Sequence, residues 1–114
     1  MSIFKSIFKN KEINPDQFEL LDVRDYKNAV INKKVQLVDV RTPSEFKKGH
    51  LAQALNIDFY DKASFKTSFE QLDKTQPVYL YCRSGFRSKK AAMRLLAMGF
   101  VKVYDLKGGL NNWR

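Results

Sequence analysis

The apolar positions of this chain come in short runs, none of them long. Val35-Gln36-Leu37-Val38-Asp39-Val40 and Pro77-Val78-Tyr79-Leu80-Tyr81 are nearly continuous and rich in β-branched or aromatic residues, the pattern of strands covered on both faces. Ala54 to Ile57 and Val101 to Leu106 are two further short strands by the same reading. Between these runs the apolar period lengthens to that of a helix. Asn14-Pro15 with Asp16 reads as an N-cap, a proline at the first helical position and an acid in the first turn. Phe18, Leu20 and Leu21 then carry a helical stripe towards Tyr26. Thr42-Pro43 with Glu45 has the form of a capping box and starts a short helix to Lys48, which Gly49 ends. Ser64 to Leu72 forms another helix. Ser88 to Met98, basic and apolar by turns, forms a last one with Gly99 as its C′ residue. Gly108-Gly109 opens a final turn ending in Trp113. Strands alternating with helices predict an α/β fold, a mainly parallel central sheet flanked by helices in a single domain.

Residues 1–12 stand apart as a short basic amphipathic arm. Ile3, Phe4, Ile7 and Phe8 share one helical face, with lysines elsewhere. A secretory signal would continue into an apolar stretch, whereas Asn10-Lys11-Glu12 follow here, so a cleaved signal is not expected. So short a segment suits a helical turn packing its two Phe on its own domain better than weak contact with an anionic membrane surface. The domain proper is expected to occupy residues 13–114.

Composition narrows the function. A chain of 114 residues, 44% hydrophobic, suits one globular domain with its own core, and monomer is the default for that size. No apolar run approaches the ~20 residues that cross a bilayer. Twenty-one Lys and Arg against twelve Asp and Glu leave a charge of +9, a field that attracts anions. The lysines are scattered, as in Lys33-Lys34, Lys47-Lys48 and Lys89-Lys90, and form no basic tract, so no nucleic-acid partner is expected. One cysteine, Cys82, and one histidine, His50, exclude a disulfide framework and a closed Cys/His metal centre. A lone thiol suits a reducing, cytoplasmic setting. No cofactor site is expected, since Gly108-Gly109 lacks the third glycine of a dinucleotide loop.

The candidate chemistry gathers at Cys82. It ends a predicted strand, the place where parallel α/β sheets bind ligands. The segment Cys82-Arg83-Ser84-Gly85-Phe86-Arg87-Ser88 then leads into a helix, whose first N–H groups are unpaired and partially positive. Arg83 and Arg87 add full charges, and Ser84 and Gly85 let the backbone curl so that several N–H groups converge. The expectation is a low-pKa thiolate at the base of an anion cradle. An inert buried cysteine would not explain the flanking arginines. His50 follows Gly49 outside any cysteine-protease signature and reads as tying a loop by hydrogen bonds.

Three stretches together resemble the rhodanese-like superfamily, in particular its single-domain sulfurtransferases. Val38-Asp39-Val40-Arg41 with Pro43, Glu45-Phe46, Gly49-His50-Leu51, Ala54 and Asn56-Ile57 looks like the first signature region. Cys82-Arg83-Ser84-Gly85 with Arg87-Ser88 looks like the active-site loop, and Gly108-Gly109-Leu110 with Trp113 like the C-terminal signature. The resemblance implies a rhodanese-type thiosulfate sulfurtransferase. Cys82 would take a sulfane sulfur from thiosulfate or a persulfide donor and pass it to cyanide, a thiol or a thioredoxin-like acceptor. Backbone N–H groups from Arg83 to Ser88 would hold the persulfide charge, and Arg83 and Arg87 would attract an anionic donor. Asp39, Arg41, Glu45 and His50 match positions that support the fold, with an Arg41–Glu45 pair expected across the helix start. Tyrosine phosphatases place an arginine six residues after the cysteine; here Arg87 is five after and Ser88 takes the sixth place, which argues against phosphoryl chemistry. Two positions depart from the family pattern. Phe86 stands where a small polar residue is common and makes the entrance more apolar, and Gln53 stands where glycine is common. The alternative is a rhodanese-like persulfide carrier or regulatory binding module with little small-molecule turnover.

Overall fold

The computed structural model describes residues 14–113, and the amphipathic arm expected at 1–12 lies outside them. Among the described residues, β1 (Phe18–Leu21), β2 (Gln36–Asp39), β3 (Leu55–Asn56), β4 (Val78–Tyr81) and β5 (Val103–Leu106) form one sheet in the order β1-β5-β4-β2-β3. Every pairing is parallel. Four α-helices connect them: α1 (Val23–Val30), α2 (Pro43–Lys47), α3 (Lys62–Glu70) and α4 (Phe86–Ala97). This is the α/β architecture that the alternating pattern predicts. Among the described residues no helix is long and apolar enough to cross a membrane.

One element differs from its sequence reading. The expected helix from Asn14 towards Tyr26 is instead a 3-10 turn over Pro15–Gln17, the edge strand β1, and then α1. Asp22 caps α1, its Oδ1 accepting the Asp25 N–H at 2.9 Å. Four residues are too few for β alternation to stand out against a helical stripe, and β1 is specified mainly by its partner, Phe18 aligning with Val103 and Leu21 with Leu106. Elsewhere the differences are at ends: α3 starts at Lys62 behind Asp61, and α4 starts at Phe86, two residues before the expected Ser88.

The sheet is covered on both faces. On one side Val38, Val78, Leu80 and Val103 pack with Phe65 and Phe69 of α3 and with Ala91, Ala92, Leu95 and Leu96 of α4. On the other, Leu37, Tyr81 and Leu106 pack with Tyr26 and Val30 of α1 and with Trp113. Successive strand residues therefore enter different cores, which is why the strands read as continuous apolar runs. Asp39 and Tyr81 are partners at the carboxyl ends of β2 and β4, so the loops after these central strands open side by side.

Candidate active site

Cys82 follows β4 directly and is 1% exposed. The chain then turns through Gly85 at φ +100°, a conformation that side chains oppose and glycine allows. That turn brings the Gly85 N–H to 3.1 Å from the Cys82 sulfur. The early start of α4 puts Ser88 in its first turn, where backbone N–H groups have no helical partner. The Ser88 N–H points at the sulfur at 3.4 Å, and the Ser88 hydroxyl oxygen lies at the same distance. The sulfur thus sits at the floor of a cradle whose donors are mainly backbone.

The C-terminal 3-10 turn, Gly109–Asn112, braces the cradle from beneath. The Leu110 N–H donates to the Cys82 carbonyl at 2.9 Å and the Asn111 N–H to the Arg83 carbonyl at 3.0 Å. Gly109 allows this approach: a Cβ there would lie 2.5 Å from the Arg83 carbonyl oxygen and 2.6 Å from that of Cys82. The double glycine signals a turn in the sequence, but nothing local tells that the turn grips the cysteine loop.

Glu45 ties the first signature region to the loop. Thr42 caps α2 and Glu45 returns the bond, its Oε1 accepting the Thr42 N–H at 3.1 Å. The same carboxylate accepts both terminal nitrogens of Arg87, at 2.7 and 3.0 Å, and Nε of Arg83 at 3.3 Å. The Arg87 bond, above all, holds the Glu45 carboxyl well below the usual carboxylate range. Arg87 is raised in turn, first by Glu45 and in smaller part by the Cys82 sulfur. Arg87 is therefore clamped beside the cradle, while Arg83 keeps 58% of its side chain exposed at the mouth.

The expected Arg41–Glu45 pair is not formed. Arg41 instead binds the fully buried Asp39, with Nη2 to Oδ2 at 2.7 Å, and donates to the Gly49 carbonyl at 2.7 Å. A carboxylate buried at a strand end needs its counter-ion close, and Arg41 is two residues away; Glu45 is turned aside by its capping role. Asn56 joins β3 to this corner, donating to the carbonyls of Asp39 and Arg41. His50 is exposed, its ring stacked on Phe46 at 3.6 Å with Nδ1 2.8 Å from the Phe46 carbonyl. Ser84 and Phe86 are exposed at the rim, with the Lys90 ammonium 4.3 Å from the Phe86 ring centre. Tyr60 completes the rim, 5.6 Å from the Arg87 guanidinium. The sequence reading missed it, because it arrives from the loop before α3 with no motif to mark it.

Residues 22–114 match the sequence model of the family described as rhodanese-like domain. The chain is 41% identical over 81 residues to the uncharacterized protein YqhL of Bacillus subtilis (strain 168), covering 71% of this chain and 62% of that one. It is 35% identical over 106 residues to the tRNA uridine(34) hydroxylase of Pelagibacter ubique (strain HTCC1062), covering 92% of this chain and 32% of the enzyme. It thus spans less than two-thirds of the length of either relative. Among solved structures, a rhodanese-like domain protein from Staphylococcus aureus superposes with a TM-score of 0.73 at 28% identity, over 84% of this chain and 91% of that one. The chain belongs to the rhodanese-like domain family.

Proposed function

We propose that this chain is a sulfurtransferase that carries a sulfane sulfur on Cys82. The observation that supports this best is the cradle itself: two backbone N–H groups and a hydroxyl converge on one buried sulfur. Such donors complement a single anionic sulfur, and the loop has no arginine at the sixth place to encircle a tetrahedral phosphate. In the first step the Cys82 thiolate attacks the outer sulfur of thiosulfate. A bond forms between the two sulfurs, the S–S bond of thiosulfate breaks, and sulfite leaves with the electron pair. In the second step a nucleophile such as cyanide or a thiolate attacks that outer sulfur and Cys82 leaves as thiolate. The terminal persulfide sulfur, one bond further from the backbone, would be held by N–H groups of the loop between Arg83 and Ser88. Arg83, the guanidinium open to solvent, is the natural first contact for an anionic donor.

The test is intact mass after thiosulfate, then after cyanide. A gain of one sulfur atom that cyanide removes is expected for the wild type and not for Cys82→Ser. No gain from thiosulfate or from cysteine persulfide, with the thiol verified as reduced, would overturn the reading in favour of a binding module. A gain with negligible steady-state turnover would mark a carrier whose acceptor is a protein.

A further inference from the structure

Asp105 lies in the middle of the sheet and takes no part in the chemistry above. Val103 belongs to the core under α4 and Leu106 to the opposite one, so strand alternation turns Asp105 towards α4. Its neighbours across the sheet are Leu80 on β4 and Leu20 on β1, both apolar. The side chain is fully buried, and among the described residues its two oxygens are the only buried side-chain polar atoms without a hydrogen bond. An unpartnered buried carboxylate is costly enough that its presence calls for a reason.

The reason lies on α4. Ser88 and the Leu106 N–H approach the carboxyl without completing a hydrogen bond, and Lys89 acts on it from the same helix. From α1, across the sheet, comes Tyr26, whose hydroxyl donates to the Leu80 carbonyl at 2.9 Å and whose ionisation is pushed up first by burial and then by Asp105. Burial outweighs the helpful groups and raises the Asp105 carboxyl to about 7. On its other side Ser88 faces the Cys82 sulfur at 3.4 Å. The Ser88 hydroxyl thus touches the sulfur and is also among the groups that act on the acid.

That hydroxyl has one proton to give. A protonated Asp105 can donate to the Ser88 oxygen, which leaves the Ser88 proton for the anionic sulfur. An ionised Asp105 draws the Ser88 proton to itself, removes a donor from the sulfur and adds a second negative charge nearby. We propose that Asp105 is a positioning residue that acts through Ser88, holding its hydroxyl towards the anionic Cys82 sulfur while neutral and withdrawing it when ionised. This rests on the sulfur being the reactive centre, as proposed above, but its test does not require sulfur transfer.

The test is the rate at which a small alkylating agent labels Cys82, followed by intact mass on the full chain between about pH 6 and about pH 8. The ratio of the Asp105→Asn rate to the wild-type rate is expected to rise about threefold to tenfold over that range, the worth of one ordinary hydrogen bond. In a Ser88→Ala background most of the rise should vanish, leaving only the part due to the added negative charge. A flat ratio, or a rise that persists in full without the Ser88 hydroxyl, overturns the proposal. Should Asp105→Asn fail to fold, infrared titration of the Asp105 carboxyl in the wild type and in Cys82→Ala decides the matter. A midpoint lowered when the sulfur is removed supports the coupling, and an unchanged midpoint refutes it. Absence of persulfide in the mass experiment would count against the proposed function and leave the alkylation result standing.

Discussion

At the scale of single residues, two carboxyls near the loop respond to pH in opposite senses. Glu45 is depressed by Arg87, so its contribution to stability is present above the ordinary carboxylate range and is lost as pH falls through it. Asp105 is raised from 3.8 to about 7, so the native state holds a proton that the unfolded chain has released. Its contribution is therefore full below about pH 4 and declines as pH rises towards about 7. Chemical denaturation should show the wild type losing about 2 kcal/mol between about pH 5.5 and about pH 8 relative to Asp105→Asn. A gap between the two proteins that stays constant with pH would mean that Asp105 is ionised throughout. For Glu45 the expected effect is on the site. Glu45→Gln keeps the cap but loosens the Arg87 clamp, and persulfide formation should slow about tenfold with stability reduced by about 1–3 kcal/mol. Stopped-time mass spectrometry of the loading step and a denaturation curve measure both.

At the scale of elements, the cysteine loop is held more by its neighbours than by its own residues. The 3-10 turn after β5 donates two N–H groups to the carbonyls of Cys82 and Arg83, and Gly109 permits that contact at φ +63°. Gly109→Ala places a methyl group against both carbonyls and strains the backbone as well. A loss of about 2–4 kcal/mol in stability is expected, with persulfide loading reduced even at temperatures where the fold persists. Normal loading at full stability would mean that the turn does not brace the cradle. The elements also show what was legible beforehand. Thr42-Pro43-Ser44-Glu45 wrote α2 and its cap into four residues, and the runs at Val35–Val40 and Pro77–Tyr81 wrote the two central strands. Cys82 stood out because a turn between a strand and a helix that carries two arginines offers an anion both full charges and unpaired N–H groups. What stayed hidden depended on distant pairing: β1 is a strand because β5 offers its edge, and Glu45 faces Arg87, 42 residues away, instead of its neighbour Arg41. Asp105 lay in an apolar run that gave no hint of which core it would enter.

At the scale of the whole molecule, the all-parallel sheet puts the ends of β2 and β4 side by side, and the charge of the entire chain then acts on what approaches them. A net charge of +9 on 114 residues draws anions from every side, whereas only Arg83 offers an exposed guanidinium within the loop. These two contributions separate by salt. Long-range attraction is screened as the Debye length shrinks to about 10 Å near 0.1 M salt, while a contact made at the mouth is screened much less. Under the proposed function, KM for thiosulfate should therefore rise about threefold to tenfold between low salt and about 0.2 M, with kcat nearly unchanged. Arg83→Gln should raise KM at every salt concentration by a similar factor and leave the slope against salt close to that of the wild type. A slope that collapses in Arg83→Gln would instead place most of the attraction in that one side chain, and the scattered lysines would then serve the surface and not the substrate.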